Sequence, residues 1–525
     1  MTNIAPKIQG QRERRLGAAF GLANVFLSLS SRLLLVPIIL HYLNRAEFGL
    51  YQLIGAFVGY LALIDFGISG TLGRFVARYQ ILNDRVRQDN VFAMCIIIYS
   101  LLLGIIGVVG LFLYRNLDQV FSKSLTRNEM ADAKVMFIIL LISICATVLS
   151  QAFAGVNAGH ERFVFSRVTD SICMLAKVGV VAAVLAMGHR AIGIVVAEAL
   201  VNIALLILNA AYAGIVLKVR FRLHYWDWTL FGEVLRFAFW TFIAALVLQI
   251  NFRLGSVLLG AMTTVSLVGV YAIALQINTL YNMLPTTISS VYLPQITRLV
   301  VNGADGEQLT RAMIGPSRYQ LMLVGCVLGG FILFGRQFIS LWAGSDYVEA
   351  WATALFILVP VTIPLCQNTI LSVLYAKMLN RARALITLAF AVISGVSAVF
   401  LIRPYGLYGP AIATGLALLI GHGLVMNIYY HHYVRLNMWL FFRKVSERIL
   451  SVIVVITTVG TALVCLPVGD GWVGLSVRLI LFLILYVLSM WLFGMNESER
   501  SLFRSVFLSS ISGKFTVMPL EEESK

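Results

Sequence analysis

The sequence contains fourteen stretches of about 20 or more consecutive, mainly apolar residues, separated by short polar connections. A helix of about 20 residues crosses the roughly 30 Å hydrocarbon layer of a membrane, whereas a β-barrel would show segments of about ten residues with alternating polarity. We therefore predict an all-α polytopic membrane protein with about 14 transmembrane helices. The stretches lie near 16–40, 48–72, 90–113, 134–158, 163–187, 191–217, 235–260, 266–293, 319–341, 350–376, 384–402, 409–432, 447–467 and 472–493.

The composition excludes a soluble globule and a disordered chain. Of the 525 residues 60% are hydrophobic and 12% are charged, whereas a soluble domain has about 45–50% apolar and about 25% charged residues. Disordered chains are poor in the large aliphatic and aromatic residues that dominate here.

The excess positive charge follows the predicted topology. There are 40 Lys and Arg against 24 Asp and Glu, and most of the basic residues fall in alternate connections. Because cytoplasmic loops are enriched in Lys and Arg, we place both termini in the cytoplasm. The net charge of +16 therefore reflects membrane orientation, and we expect no nucleic-acid partner.

An internal repeat relates the two halves of the chain at a separation of about 220 residues. Two stretches per repeat carry matching residues: Arg15, Arg32, Gly49, Tyr51 and Arg78 in the first half, and Arg236, Arg253, Gly269, Tyr271 and Arg298 in the second. Six helices per repeat is an even number, so both copies have the same orientation, as in transporters with parallel repeats.

The repeat predicts the domain organisation. Residues 1–217 form a six-helix N-lobe and residues 218–434 a six-helix C-lobe, followed by helices 13 and 14 within 435–495. Residues 496–525 form a cytoplasmic tail with an amphipathic pattern, in which one face carries Leu502, Phe503, Val506, Phe507 and Ile511. An interfacial helix and a frayed tail are both compatible with that pattern.

Arg32 and Arg253 are the strongest candidates for a substrate site. An ionisable residue inside a membrane span is costly and is by default a functional hypothesis. The two arginines occupy matching depths in the two repeats, and a guanidinium can bind phosphate oxygens through two parallel hydrogen bonds. We predict that they bind a diphosphate or an anionic sugar; the alternative is that each one only extends toward the membrane surface or pairs with a carboxylate.

Other ionisable residues in the spans have structural alternatives. Lys177 and Glu198 are most simply an interhelical ion pair, and Asp65 either couples a proton or a cation to transport or neutralises an arginine. Arg478 is expected to extend toward the membrane surface.

No motif of a known enzyme class is present. The chain has no Walker A, HExxH or G-x-S-x-G motif, and its six cysteines are scattered singly. We expect no catalytic residue, no metal site and no cofactor, with H⁺ or Na⁺ open as a coupling ion. A membrane-embedded polysaccharide polymerase or ligase would need a large outer loop, and the connections are too short for one.

Several short motifs resemble the polysaccharide transporter (Wzx-type) flippases of the multidrug/oligosaccharidyl-lipid/polysaccharide (MOP) exporter superfamily. They are residues 44–51 (NRAEFGLY), 63–69 (LIDFGIS), 74–79 (RFVARY), 341–347 (LWAGSDY) and 406–413 (GLYGPAIA). The resemblance implies a V-shaped, two-lobed, MATE-like fold with a cationic cavity, a role for which Arg32 and Arg253 are the matching residues.

The resemblance also implies a function. Undecaprenyl-diphosphate-linked oligosaccharide would be flipped across the bacterial inner membrane for O-antigen, capsule or exopolysaccharide assembly. A polysaccharide polymerase and a chain-length regulator are then candidate partners. A cation-coupled multidrug exporter of the same fold is the alternative, and it would require an acidic cavity.

Overall fold

The computed structural model describes residues 27–62, 68–82, 84–122, 124–160, 162–219, 222–377, 379–501 and 504, and within them every regular element is helical. Helices are expected because a chain in lipid must satisfy its own backbone hydrogen bonds. The helices of the first half are α1 Leu27–Tyr42, α2 Arg45–Gly59, α3 Ile68–Ile81, α4 Arg85–Phe121, α5 Arg127–Gly159, α6 Phe163–Ala186 and α7 Ala191–Ala211.

The second half continues in the same way. Its helices are α8 Trp228–Met262, α9 Val265–Val301, α10 Gly306–Trp342, α11 Ala350–Cys366, α12 Ile370–Ala376, α13 Asn380–Tyr405, α14 Tyr408–Ile420, α15 Met426–His432, α16 Met438–Ser446, α17 Ile449–Val464 and α18 Trp472–Ser489. Short π-helical turns follow α7, α14 and α18, at Tyr212–Val216, Gly421–Val425 and Met490–Gly494.

Nine helices of the described part are long and apolar enough to cross a membrane, and up to eleven are if each of two bent pairs is one span. The bent pairs are α11 with α12, at 52°, and α16 with α17, at 40°. Each of the fourteen apolar stretches overlaps at least one helix. The prediction of an all-α polytopic protein is confirmed, while the number fourteen stays a prediction.

Side-chain caps begin several of the helices, α2 and α5 among them. The Asn44 side chain accepts a hydrogen bond from the Glu47 amide, and the Glu47 carboxylate accepts one from the Asn44 amide. Thr126 and Glu129 form the same reciprocal pair at the start of α5. Such capping boxes satisfy amides that have no partner inside the helix, so the boundaries of α2 and α5 are fixed locally by sequence.

The chain divides into two compact units. The first comprises the described residues of Met1–Leu280 together with Ile339–Val361 and Met378–Met426, and the second comprises those of Tyr281–Phe338, Thr362–Lys377 and Asn427–Lys525. The four sequence-based domains, at 1–217, 218–434, 435–495 and 496–525, stay a prediction.

A polar ladder joins α5 and α7 in the first unit. Asn202 donates to Ser143 (2.8 Å) and Asn209 to Ser150 (3.1 Å), while Asn157 donates to Asn209 (3.1 Å). On each helix these residues recur every seven positions, which keeps them on one face. Hydrogen bonds between helices replace the hydrophobic driving force that lipid does not supply, so the ladder sets the register of two parallel helices.

A close crossing of α2 and α9 involves the repeat-related glycines. A Cβ on Gly49 would overlap the carbonyl oxygen of Val265, and a Cβ on Gly269 would lie 3.4 Å from the Gly49 Cα. Equivalent residues of a two-fold repeat meet where the symmetry axis passes between them. Gly49 and Gly269 are equivalent in the predicted repeat, and both are small because the backbones meet there.

The second unit is held at one end by a buried arginine. Arg318 on α10 is 6% exposed and forms an ion pair with Glu499, while it also donates to the carbonyl oxygens of Lys444, Glu447 and Gly494. Glu499 belongs to the predicted tail 496–525, most of which lies outside the described residues, including Leu502, Phe503, Val506, Phe507 and Ile511.

The prediction that Arg478 extends to the membrane surface is wrong. Arg478 on α18 is 6% exposed and donates to the Gln337 side chain (2.8 Å) and to the Leu466 carbonyl oxygen (2.9 Å). Its Nη1 also lies 3.6 Å from Oδ1 of the exposed Asp470, so contacts within the protein hold this side chain in place.

Candidate functional site

Arg253 lies across a glycine surface of α2. Its Nη1 is 3.5 Å from the Gly55 carbonyl oxygen, and a Cβ on Gly59 would come within 2.9 Å of the same nitrogen. Gly55 and Gly59 are four residues apart and so share one face of the helix. The guanidinium can approach α2 this closely because position 59 carries no side chain.

Two hydrogen bonds fix α8 against α2 beside Arg253. Gln249, one turn before Arg253, donates from Nε2 to the Gly59 carbonyl oxygen (3.0 Å). Tyr60 donates in return from its hydroxyl to the Gln249 carbonyl oxygen (3.3 Å). These bonds hold the part of the α8 backbone that carries Arg253 next to α2.

Arg32 brings a second positive charge to this region. It lies on α1 and is exposed, and its charge acts weakly on that of Arg253. In the part of the chain that the structure describes, neither arginine has a carboxylate partner. Two nearby like charges repel, so binding of an anion would relieve the repulsion.

Among the described residues, the carboxylate of this region is already neutralised. Glu198 on α7 accepts from Lys177 on α6, with Nζ 2.6 Å from Oε1, and the Tyr51 hydroxyl donates to the same oxygen from 2.9 Å. The Glu198 side chain is 14% exposed and that of Lys177 is 37% exposed. This carboxylate therefore has two partners and contributes little negative charge to the neighbourhood of Arg253.

The second repeat carries an uncharged counterpart of this trio. The Ser394 hydroxyl on α13 is 3.3 Å from that of Thr414 on α14, while the buried Tyr271 hydroxyl forms no hydrogen bond within the described residues. Tyr271, Thr414 and Ser394 follow Tyr51, Glu198 and Lys177 by about 220 residues. The two repeats thus share a polar contact between equivalent helices but differ in charge.

The structure places Arg32 on α1 and Arg253 on α8, and it pairs Lys177 with Glu198. Asp65 lies outside the described residues. Sequence reasoning missed Gly55, Gly59, Tyr60 and Gln249. The four-residue spacings from Gly55 to Gly59 and from Gln249 to Arg253 could have indicated that each pair shares a helix face.

No group of His, Cys, Asp or Glu residues in the described ranges could hold a metal ion. The described polar groups of this site are the Arg253 guanidinium, the Tyr60 hydroxyl, the Gln249 amide and the backbone carbonyls of α2. Such a set can bind phosphate or sugar hydroxyl groups, and its guanidinium repels a cation.

The chain matches a family model and several solved structures. The model of the polysaccharide biosynthesis protein family matches residues 23–300, more than half of the chain. No curated protein matches the sequence. The structure is similar to that of lipid II flippase MurJ in an inward closed conformation, with a TM-score of 0.68 and 16% identity over 94% of this chain and 99% of that one.

Two further structures show the same fold. An inward-facing multidrug resistance MATE family transporter of the MOP superfamily has a TM-score of 0.62 and 16% identity, over 82% of this chain and 95% of that one. A MOP superfamily transporter from Pyrococcus furiosus has a TM-score of 0.52 and 16% identity, over 83% and 96%. The resemblance found in the sequence motifs is thereby confirmed: the chain is a multi-pass membrane protein with the fold of these transporters and belongs to the polysaccharide biosynthesis protein family.

Proposed function

We propose that the protein is a flippase for undecaprenyl-diphosphate-linked oligosaccharide repeat units. It moves them from the cytoplasmic to the periplasmic face of the bacterial inner membrane, for assembly of O-antigen, capsule or exopolysaccharide. Both termini lie in the cytoplasm in this proposal. The family match and the fold of transporters support a carrier rather than an enzyme.

The observation that carries the proposal is the pair of guanidiniums on α1 and α8, which lack a carboxylate partner among the described residues. A diphosphate supplies several acceptor oxygens and more than one negative charge, which matches two nearby arginines. The sugars would meet the polar groups of Tyr60 and Gln249, and the prenyl tail would stay in lipid. Because Arg does not lose its proton, the site keeps its charge throughout the cycle.

Transport by alternating access requires the site to face each side in turn. The close crossing of α2 and α9 at Gly49 and Gly269 is one contact to follow during such a motion. H⁺ or Na⁺ stays a candidate coupling ion, with Asp65, Lys177 and Glu198 as candidate residues. A polysaccharide polymerase and a chain-length regulator are the proposed partners on the product side.

The second candidate is a cation-coupled multidrug exporter, which is favoured by the similarity to MATE transporters. A cationic drug needs an uncompensated carboxylate, whereas Glu198 is bound by both Lys177 and Tyr51. The charge near Arg253 therefore favours an anionic substrate.

Transport in liposomes distinguishes the two candidates. The purified protein is reconstituted with a fluorescent lipid-diphosphate oligosaccharide in one set of vesicles and with ethidium in another. We expect protein-dependent movement of the sugar lipid and none of ethidium. Movement of ethidium without movement of the sugar lipid would replace the flippase proposal with the exporter.

A further inference from the structure

The short helix α16 presents two unlike faces. Met438, Phe441 and Val445 are buried, at spacings of three and four residues that place them on one side. The opposite side carries Trp439, 78% exposed, and exposed Arg443, and Phe442, 37% exposed, lies at the edge between the two sides. We call Trp439, Phe442 and Arg443, together with Arg435 just before the helix, the basic-aromatic face.

Contacts with α10 fix the orientation of this face. The Asn437 amide donates to the Thr310 hydroxyl (3.0 Å), and the Asn437 side chain accepts from the Leu440 amide (3.0 Å). A Cβ on Gly306 would overlap the Arg435 carbonyl oxygen. At the other end of α16, Arg318 donates to the Lys444 and Glu447 carbonyl oxygens. The helix therefore cannot rotate to bury Trp439 and Phe442.

Unusual backbone conformations flank α16 at two cationic residues. Arg435 has φ 63° and Arg448 has φ 65°, in the left-handed region that favours Gly or Asn. A long cationic side chain stands at each of these positions instead. Such conformations persist where the surrounding structure imposes them, and here they mark the two ends of the exposed face.

The balance of charge around α16 is positive. Lys444 binds Glu447 (3.0 Å), and this hydrogen bond lowers the pKa of the Glu447 carboxyl. In the described part of the chain, Arg435 and Arg443 form no ion pair. His431 adds a polar neighbour, whose Nδ1 donates to the Leu436 carbonyl oxygen (3.0 Å). Two unpaired cations thus lie beside two exposed aromatic side chains.

The position of α16 places this face at a membrane surface. The apolar helix α17 begins at Ile449, three residues after α16 ends, and the two form a bent pair at 40°. Aromatic side chains are enriched where a membrane meets water, and basic side chains there attract anionic headgroups. A helix with both on one exposed face has the chemistry of an interfacial helix.

We propose that the basic-aromatic face binds the headgroups of anionic phospholipids in the leaflet that the charge distribution assigns to the cytoplasm. Arg435 and Arg443 contact the headgroup phosphates, and Trp439 and Phe442 lie at the boundary of the acyl chains. The site is separate from the arginines of α1 and α8, and the inference does not depend on the proposed substrate.

Lipid binding can be measured by energy transfer in nanodiscs. The full chain is placed in phosphatidylcholine nanodiscs that contain a small fraction of dansyl-phosphatidylglycerol, and transfer from tryptophan to dansyl is recorded. Because the chain has eight tryptophans, the Trp439→Phe protein identifies the contribution of Trp439. Dansyl-phosphatidylcholine is the uncharged comparison lipid.

We expect the Trp439 contribution to prefer the anionic probe and to weaken as salt rises. The double variant Arg435→Gln/Arg443→Gln should lower the affinity about 25-fold, about fivefold for each cation removed. Arg435→Lys/Arg443→Lys should retain most of the binding. The control Arg115→Gln/Arg403→Gln removes two exposed cations near the C-terminal ends of α4 and α13, which the topology prediction places on the outer side, and it should leave binding unchanged.

Three results would overturn the proposal. Equal transfer to both probes in the wild-type protein would show that headgroup charge is not recognised, and it needs no variant that might misfold. An equal loss in the control variant would show an effect of net charge alone. Displacement of the probe by millimolar inorganic phosphate would indicate a site for a free anion rather than for a lipid.

Discussion

Arg253 owes its position to a residue that has no side chain. Gly59 admits the guanidinium to the surface of α2, while a Cβ on Gly55, one turn earlier, would meet no atom within 4 Å. Two glycines on the same helix face thus have different consequences for the site.

This difference gives a matched pair of variants. Gly59→Ala should move the Arg253 guanidinium away from α2, because the new Cβ would lie 2.9 Å from Nη1. We expect transport of the lipid-diphosphate substrate to fall about tenfold, the equivalent of one charge-assisted hydrogen bond of about 1.5 kcal/mol. Gly55→Ala should transport at the wild-type rate. Equal rates for the two variants would contradict the assigned position of Arg253.

The Lys177–Glu198 contact predicts coupled effects on stability. Lys177→Met leaves the Glu198 carboxylate with only the Tyr51 hydroxyl as a partner. Removing one member of a buried pair costs about 3–5 kcal/mol, and partial exposure of Lys177 should reduce this to about 1–3 kcal/mol. Adding Glu198→Gln should recover part of the loss. Unfolding of the single and double variants in detergent measures the coupling, and additive losses would show that the pair is not formed.

Among the elements, α2 and α9 are held together by their closest crossing. Gly49→Ala would place a methyl group against the Val265 backbone, which cannot move aside as a flexible side chain can. We expect a loss of about 1–3 kcal/mol in the free energy of unfolding. Gly104→Ala on α4 is the control, because a Cβ there would meet nothing within 4 Å. It should be neutral or slightly stabilising, since Ala favours helix. If Gly49→Ala were also neutral, the crossing would not be as close as described.

The ladder between α5 and α7 makes a second prediction about elements. Asn209→Leu removes the donor to Ser150 and the acceptor for Asn157. With about 0.6–1.7 kcal/mol for each interhelical hydrogen bond, we expect a loss of about 1–3 kcal/mol. Asn116→Ala is the comparison, because the exposed Asn116 side chain donates only to Phe112 of its own helix (2.8 Å). A smaller loss for Asn209→Leu than for Asn116→Ala would exclude a role of the ladder in helix association.

For the whole molecule, hydropathy predicts the helices well because it sums over about 20 residues and is insensitive to single neighbours. The repeat also predicts how deep a residue lies in the membrane, and it therefore places Arg32 and Arg253 at equivalent depths. Neither signal contains information about which helix faces which. Arg478 bonds to Gln337 and Arg318 pairs with Glu499, and in both cases the partner is more than 100 residues away in sequence. No local pattern predicts these contacts.

The charged residues of the site can be predicted from the sequence, whereas the contacts that position them cannot. Ionisable residues inside apolar stretches are visible in sequence, because each is an exception to its surroundings. The contacts of Gly59, Tyr60 and Gln249 join helices separated by about 190 residues. Their residue types are common in membrane helices, so only the fold reveals their role.

The central claim is that Arg32 and Arg253 together bind the diphosphate of a lipid-linked oligosaccharide. The direct measurement is the initial rate at which reconstituted protein moves a fluorescent lipid-diphosphate oligosaccharide between leaflets. It is compared for the wild type, for Arg32→Gln/Arg253→Gln, and for the control Arg115→Gln/Arg403→Gln with the same change in net charge. We expect the first double variant to lose at least about 100-fold, near the effect of two charge-assisted hydrogen bonds, and the control to keep the wild-type rate. A wild-type rate in Arg32→Gln/Arg253→Gln would contradict the claim.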